Sequence, residues 1–159
     1  MKETVLARFH RLLSGAALVG ASALAASCSA MTPIQTAELY NAGDGVRVEV
    51  SDDELLRVEN LMVLAAEEGG EGEVYGALIN DSSEQVVMSV SIGDGGIQVP
   101  VGPGESILLG VDETVVIPST PAAPGAVTEA QVEAIGYGTV TATVPVLDDA
   151  LPQYTDHVP

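Results

Sequence analysis

The residues that could do chemistry are few and widely spaced. After the first 27 residues the only His is His157, near the C-terminus, and the only Cys of the chain is Cys28. A Ser-His-Asp hydrolase needs a His held between a nucleophile and an orienting acid, and the chain has no G-x-S-x-G elbow. Asp156, next to His157, reads as a solvated tail residue. Asp52-Asp53 and Asp148-Asp149 are paired carboxylates, but adjacent residues on a strand point to opposite faces, so neither pair makes an acid/base dyad. Copper(I) would take soft ligands, here Met31, Met62, Met88 and His157. Met62 and Met88 fall on apolar strand faces, where filling gaps in a core is the better account. Calcium would find many carboxylates but no D-x-D-x-D-G loop. Gly93-Asp94-Gly95-Gly96 and Gly102-Pro103-Gly104 open no helix that could meet a phosphate, so they read as hairpin turns. The expectation is a protein with no catalytic residues, no cofactor and no metal site.

Cys28 has a different chemistry. Lys2, Arg8 and Arg11 give a positive start, and Leu12 to Ala26 is an uncharged run of 15 residues. A membrane span needs roughly 20 apolar residues, so the run is too short to cross. It ends in small residues, Leu24-Ala25-Ala26-Ser27-Cys28. That ending resembles the bacterial lipobox, in which the Cys receives a diacylglyceryl thioether and becomes the new N-terminus. Ala25 stands where Leu is usual. The alternative is ordinary secretion after Ala23-Leu24-Ala25, with Cys28 incidental. The expected organisation is a lipoprotein signal peptide over 1–27 and a lipidated Cys28 with a flexible tether over 28–44. A β-sandwich follows over 45–147, and an extended tail over 148–159. Such a protein sits on the extracytoplasmic face of the cell membrane.

Charge narrows the partners. The chain has 159 residues, 47% hydrophobic and 3% aromatic, with 23 acids and 5 bases. Residues 28–159 hold 22 of those acids against Arg47 and Arg57, a net charge of −20 with no Lys. A field of that sign excludes nucleic acid and repels anionic headgroups. The apolar fraction argues against disorder, and a single Cys against a disulfide scaffold.

The elements that must position everything else are strands. Val46, Val48 and Val50 alternate with Arg47 and Glu49. Val86, Met88, Val90 and Ile92 oppose Ser89 and Ser91, and Val140, Ala142, Val144 and Val146 oppose Thr139, Thr141 and Thr143. Leu56, Val58, Met62 and Leu64 are read as one face interrupted by Asn60. Period-two patterns of this kind mark half-buried antiparallel strands. Glu67-Glu68-Gly69-Gly70, Asn80-Asp81-Ser82-Ser83 and Gly136-Tyr137-Gly138 supply turns between them. Short strands fit at 106–109 and 114–117. Val127–Ile135 suits a strand or, through its Ala, Gln and Glu, a helix; the strand is preferred. The fold expected is all-β, an immunoglobulin-like antiparallel β-sandwich of seven or eight strands. Its core is aliphatic, with Tyr75 as the only central aromatic.

Several runs carry a resemblance. They are Gln35-Thr36, Tyr40, Asp44-Gly45-Val46, Leu56 to Leu61, Gly76 to Asn80, Val99 to Gly104, Leu108-Leu109-Gly110, Val144 to Leu147 and the ending Pro152-Gln153-Tyr154 to Val158-Pro159. In them the chain resembles a group of small actinobacterial cell-envelope lipoproteins. The resemblance implies an anchored sandwich, distantly like the periplasmic copper chaperones but lacking their His/Met ligands. It implies no catalytic residue. Arg57 is expected to pair with a nearby acid and Asn80 to open a turn. The functional expectation is a non-catalytic interaction module, anchored to the membrane through Cys28 and acting on an envelope protein partner. The alternative is a carrier of copper, calcium or a small ligand.

Overall fold

The computed structural model describes residues 43–159. The expected signal peptide over 1–27, Cys28, Met31 and most of the expected tether lie outside the described residues.

Nine strands make an all-β sandwich: β1 (Val46–Glu49), β2 (Leu56–Ala65), β3 (Gly72–Asn80), β4 (Val86–Ile92), β5 (Gly95–Val101), β6 (Glu105–Leu109), β7 (Val116–Ile117), β8 (Val127–Ala134) and β9 (Gly138–Leu147). The count exceeds seven or eight because even the two-residue β7 pairs with β3. Val127–Ala134 is a strand, paired with β4 and β9. The path β5-β4-β8-β9-β2-β3-β6 runs through both sheets, and β1 pairs with β2. The ladders are antiparallel with one exception: β9 leaves β8 and ends parallel to β2, through Val63↔Val146 and Leu64↔Leu147. β9 therefore joins the two sheets by backbone hydrogen bonds as well as by its side chains.

The alternation of β4 is kept: Val86, Met88, Val90 and Ile92 are buried. Together with Val144 and Val146 of β9 they belong to one aliphatic cluster between the sheets. Met88 fills that core as expected.

In β2 the single apolar face does not hold. Asn60 adopts a left-handed φ of 52°, and pairing with β3 skips a residue between Glu59 and Met62. Two residues, Asn60 and Leu61, thus oppose Gly76 alone. The extra residue shifts the phase of the strand. Leu56 and Val58 share the central core with Leu61, Val63 and Ala65, while Met62 and Leu64 turn to the outside. Asn60 stabilises the kink by accepting the Gly45 N–H at 2.8 Å through Oδ1. Gly45 can back the bulge only as glycine: a Cβ there would lie 2.5 Å from the Asn60 carbonyl carbon and 2.7 Å from the Leu61 oxygen.

The C-terminal segment is not extended. Residues 151–157 run in successive turns, with Tyr154 N–H bonded to the Leu151 carbonyl and His157 N–H to that of Tyr154. Tyr154 is buried over Met62 and Leu64, with Tyr75, Leu147 and Val158 against the same cluster. Its hydroxyl donates to Asp44 at 2.6 Å. Burial is the main reason that the Tyr154 phenol is held above its usual range, and the Asp44 carboxylate adds to it. Tyr75, expected in the centre, belongs to this outer cluster, and the central core holds no aromatic.

Both arginines of the described residues sit in ion pairs. Arg47 reaches Glu49 at 2.9 Å, Glu54 at 2.9 Å and Glu59 at 3.5 Å. Arg57 reaches Asp81 at 2.6 Å and Glu59 at 3.0 Å, the acidic pairing its sequence context implied. The hydrogen bond to Asp81 is the chief cause that keeps the Arg57 guanidinium above its ordinary range, against partial desolvation. With Arg47 and Arg57 so engaged, the remaining carboxylates of the domain repel one another across the surface, and salt screens repulsion between exposed charges. The melting temperature is therefore expected to rise from low to moderate NaCl. A flat or falling dependence in a thermal melt would show that self-repulsion is negligible.

Candidate functional site

An apolar surface feature lies on the outer side of β2, β3 and β6, and it begins with local backbone chemistry. In β6, Leu109 is buried in the core, so its neighbour Leu108 points outward, 42% exposed. A tight loop follows. The Leu108 carbonyl accepts the N–H groups of Asp112 at 2.8 Å and Glu113 at 3.2 Å, and Asp112 Oδ2 accepts the Leu108 N–H at 2.9 Å. The loop thereby holds Val111 out in solvent at 73% exposure. Gly110 begins it with φ of 84°, and the ring of Tyr75 lies where its Cβ would be. Only glycine satisfies both demands.

Tyr75 is pinned from the other end. Its hydroxyl donates to Glu73 at 3.1 Å, and its ring meets that of His157 edge-on, with centroids 5.6 Å apart. Burial, then the charge and hydrogen bond of Glu73, push the Tyr75 phenol up to about 12. A group whose folded pKa exceeds its unfolded value contributes stability that is complete below the unfolded value and lost as pH rises through the folded one. For Tyr75 that window runs from about 10 to about 12. Tyr75→Phe is expected to remove the last step of the tyrosinate absorbance titration and part of the alkaline loss of stability. Amplitude lost near pH 10 instead, with the last step kept, would place Tyr75 in solvent.

Between these walls lies an open groove of about 330 Å³, lined by Met62, Tyr75, Gly76, Ala77, Leu108 and Val111, with Glu59 and Asn60 at one side. Its surface is mostly apolar. The bulge at Asn60 creates it, because the phase shift turns Met62 outward beside Tyr75. Sequence reasoning missed the groove. The available signal was Leu108-Leu109 followed by Gly110-Val111, two adjacent apolar residues that cannot both face inward on a strand.

Beyond Tyr75 is a second cleft, of about 410 Å³, bordered by Glu71, Glu73, Asp156, His157 and Pro159. Among the described residues, no group of three or more His, Cys, Asp or Glu side chains is arranged to hold a metal ion. Of the soft candidates among the described residues, Met88 lies in the central core, Met62 in the outer cluster and His157 against Tyr75. Gly93 and Asp94 form the β4–β5 hairpin turn, with Ile92↔Gly95 closing it. Gly102 accepts the Glu105 N–H at 3.1 Å in the β5–β6 turn. Asp148 Oδ1 accepts the Ala150 N–H at 3.0 Å, a turn contact within the C-terminal segment. Among the described residues, no helix is long and apolar enough to cross a membrane.

No family model matches the sequence, and no curated protein matches it. Among solved structures, the chain is similar to the copper-bound PCuAC domain from PmoF2, at 15% identity and a TM-score of 0.46, over 59% of this chain and 93% of that one.

Proposed function

We propose that this protein is a non-catalytic interaction module of the cell envelope, lipid-anchored through Cys28 on the extracytoplasmic face and acting on a protein partner. The observation that supports a binding role is the outer-face groove, where exposed Leu108 and Val111 stand over Met62 and Tyr75. Aliphatic side chains held out by a hydrogen-bonded loop lose little freedom when a partner covers them, which lowers the cost of association. Cys28 and Gly43 are fifteen residues apart, so the domain stays within about 50 Å of its anchor. A partner would then sit in the membrane or close to it.

In-cell cross-linking of a C-terminally tagged chain, followed by identification of what co-purifies from the membrane fraction, tests this reading. One dominant partner supports it, and Cys28→Ala is expected to lose both membrane retention and that partner. A chain with no reproducible partner that binds copper or calcium in a titration would instead be a carrier.

A further inference from the structure

Resting on the interaction reading, we propose that the groove receives a basic segment. An apolar side chain of the partner seats between Leu108 and Tyr75, and flanking Lys or Arg residues reach acids on either side. The volume, about 330 Å³, suits one or two large apolar side chains and no folded element. The charges set the rest. Asp112 and Glu113 directly follow Val111 on one lip, and Glu71 and Glu73 border the adjoining cleft that shares Tyr75. Glu59 already pairs with Arg47 and Arg57, so these four carboxylates, with Asp156 of the same cleft, are the ones left for an incoming cation. Residues 43–159 contain no Lys, and Arg47 and Arg57 are both ion-paired. His157, against Tyr75, and Asp156 are the other titratable groups beside the cleft.

The same charge argues against the other occupants. A second copy would bring another strongly acidic surface against the first. Residues 29–42 of the chain itself contain Glu38 and no cation. Anionic lipid is repelled outright.

The test uses the full mature chain labelled with ¹³C at its methionine methyl groups, and a Lys-Lys-Leu-Phe-Lys-Lys peptide as probe. Met62 at the groove and Met88 in the core are built-in reporters. The peptide is expected to shift the Met62 resonance and leave Met88 unmoved. Affinity is expected to fall about tenfold or more for Leu108→Ser/Val111→Ser, and as much when the peptide's Leu-Phe becomes Ala-Ala. Asp112→Asn/Glu113→Gln weakens binding severalfold, and a peptide with Glu for Lys does not bind. Both altered side chains of the first variant are exposed, and an unchanged melting temperature confirms its fold. Equal affinity for the Ala-Ala peptide, an unmoved Met62, or indifference to the groove variant overturns the proposal.

A photo-cross-linker at position 111 in cells provides the second arm. Capture of a partner segment with Lys or Arg flanking an apolar residue supports it. Capture of residues 29–42 or of a second copy overturns it. If the peptide binds as described but cells yield no partner, the interaction reading fails and the groove chemistry stands. If a partner is captured through another face, the reverse holds.

Discussion

Asn80→Leu is expected to lower the melting temperature by roughly 10 °C or more. The replacement is nearly equal in volume and more apolar, so burial alone would favour it. Its cost comes from four hydrogen bonds made by one amide. Asn80 is fully buried at the end of β3. Its Nδ2 donates to the carbonyls of Glu84 at 2.8 Å and Val101 at 2.9 Å, while Oδ1 accepts the Ser82 N–H at 2.9 Å and the Ser82 hydroxyl at 2.6 Å. That side chain ties the end of β3 to the loop after it and to the end of β5. Leucine would leave these groups without their partner, each buried one at a cost of about 1–3 kcal/mol. Two such losses come to roughly 3 kcal/mol, and a domain of this size loses about 3–5 °C per kcal/mol. Ser82→Ala, which removes only the hydroxyl of a half-buried residue, is expected to cost about 1 kcal/mol. Thermal melts followed by circular dichroism separate the two. An Asn80→Leu variant as stable as Ser82→Ala would mean that water replaces the amide at that corner.

The contrast between β4 and β2 marks how far sequence carries. In β4 the inward Val86, Met88, Val90 and Ile92 are separated by Val87, Ser89 and Ser91, no residue favours a left-handed backbone, and the ladder to β5 is unbroken. Period two then identifies the inward face. β2 is apolar on both sides beyond Asn60, so its pattern does not choose a phase, and the choice is made by a backbone kink that only tertiary contacts with Gly45 and Gly76 stabilise. The ion pair of Arg57 and the turn at Asn80 were legible because both are local or supplied by abundant acids. Tyr154 was not. Nothing periodic surrounds it, and its burial depends on Met62 and Leu64 having been turned outward by the bulge. The groove inherits the same illegibility, since its floor includes Met62. The anchor proposed at Cys28 stands apart, resting on sequence pattern alone.

The bulge makes a prediction that separates the two phases of β2 sharply. An unbroken alternation from Leu56 would place Leu61 and Val63 on the outer face beside Arg57 and Glu59, where a carboxylate is harmless. In the structure Leu61 is fully buried in the central core with Val58 and Val63. Leu61→Asp is therefore expected to cost more than about 4 kcal/mol, because it removes a large aliphatic group and buries a charge with no cation near the core. Against a total stability of about 5–15 kcal/mol, that leaves the domain marginal or unfolded. Deleting Asn60 is expected to be far milder, although a residue is removed from mid-strand. Leu61 then follows Glu59 directly and opposes Gly76, so Leu56, Val58, Leu61, Val63 and Ala65 fall on one face without a bulge. What is lost is the Asn60 contact to the Gly45 N–H, worth about 1 kcal/mol. Urea unfolding of the two variants decides the matter. A folded Leu61→Asp protein, or a chain that unfolds on losing Asn60 while tolerating the aspartate, would reverse the phase of β2 and with it the groove.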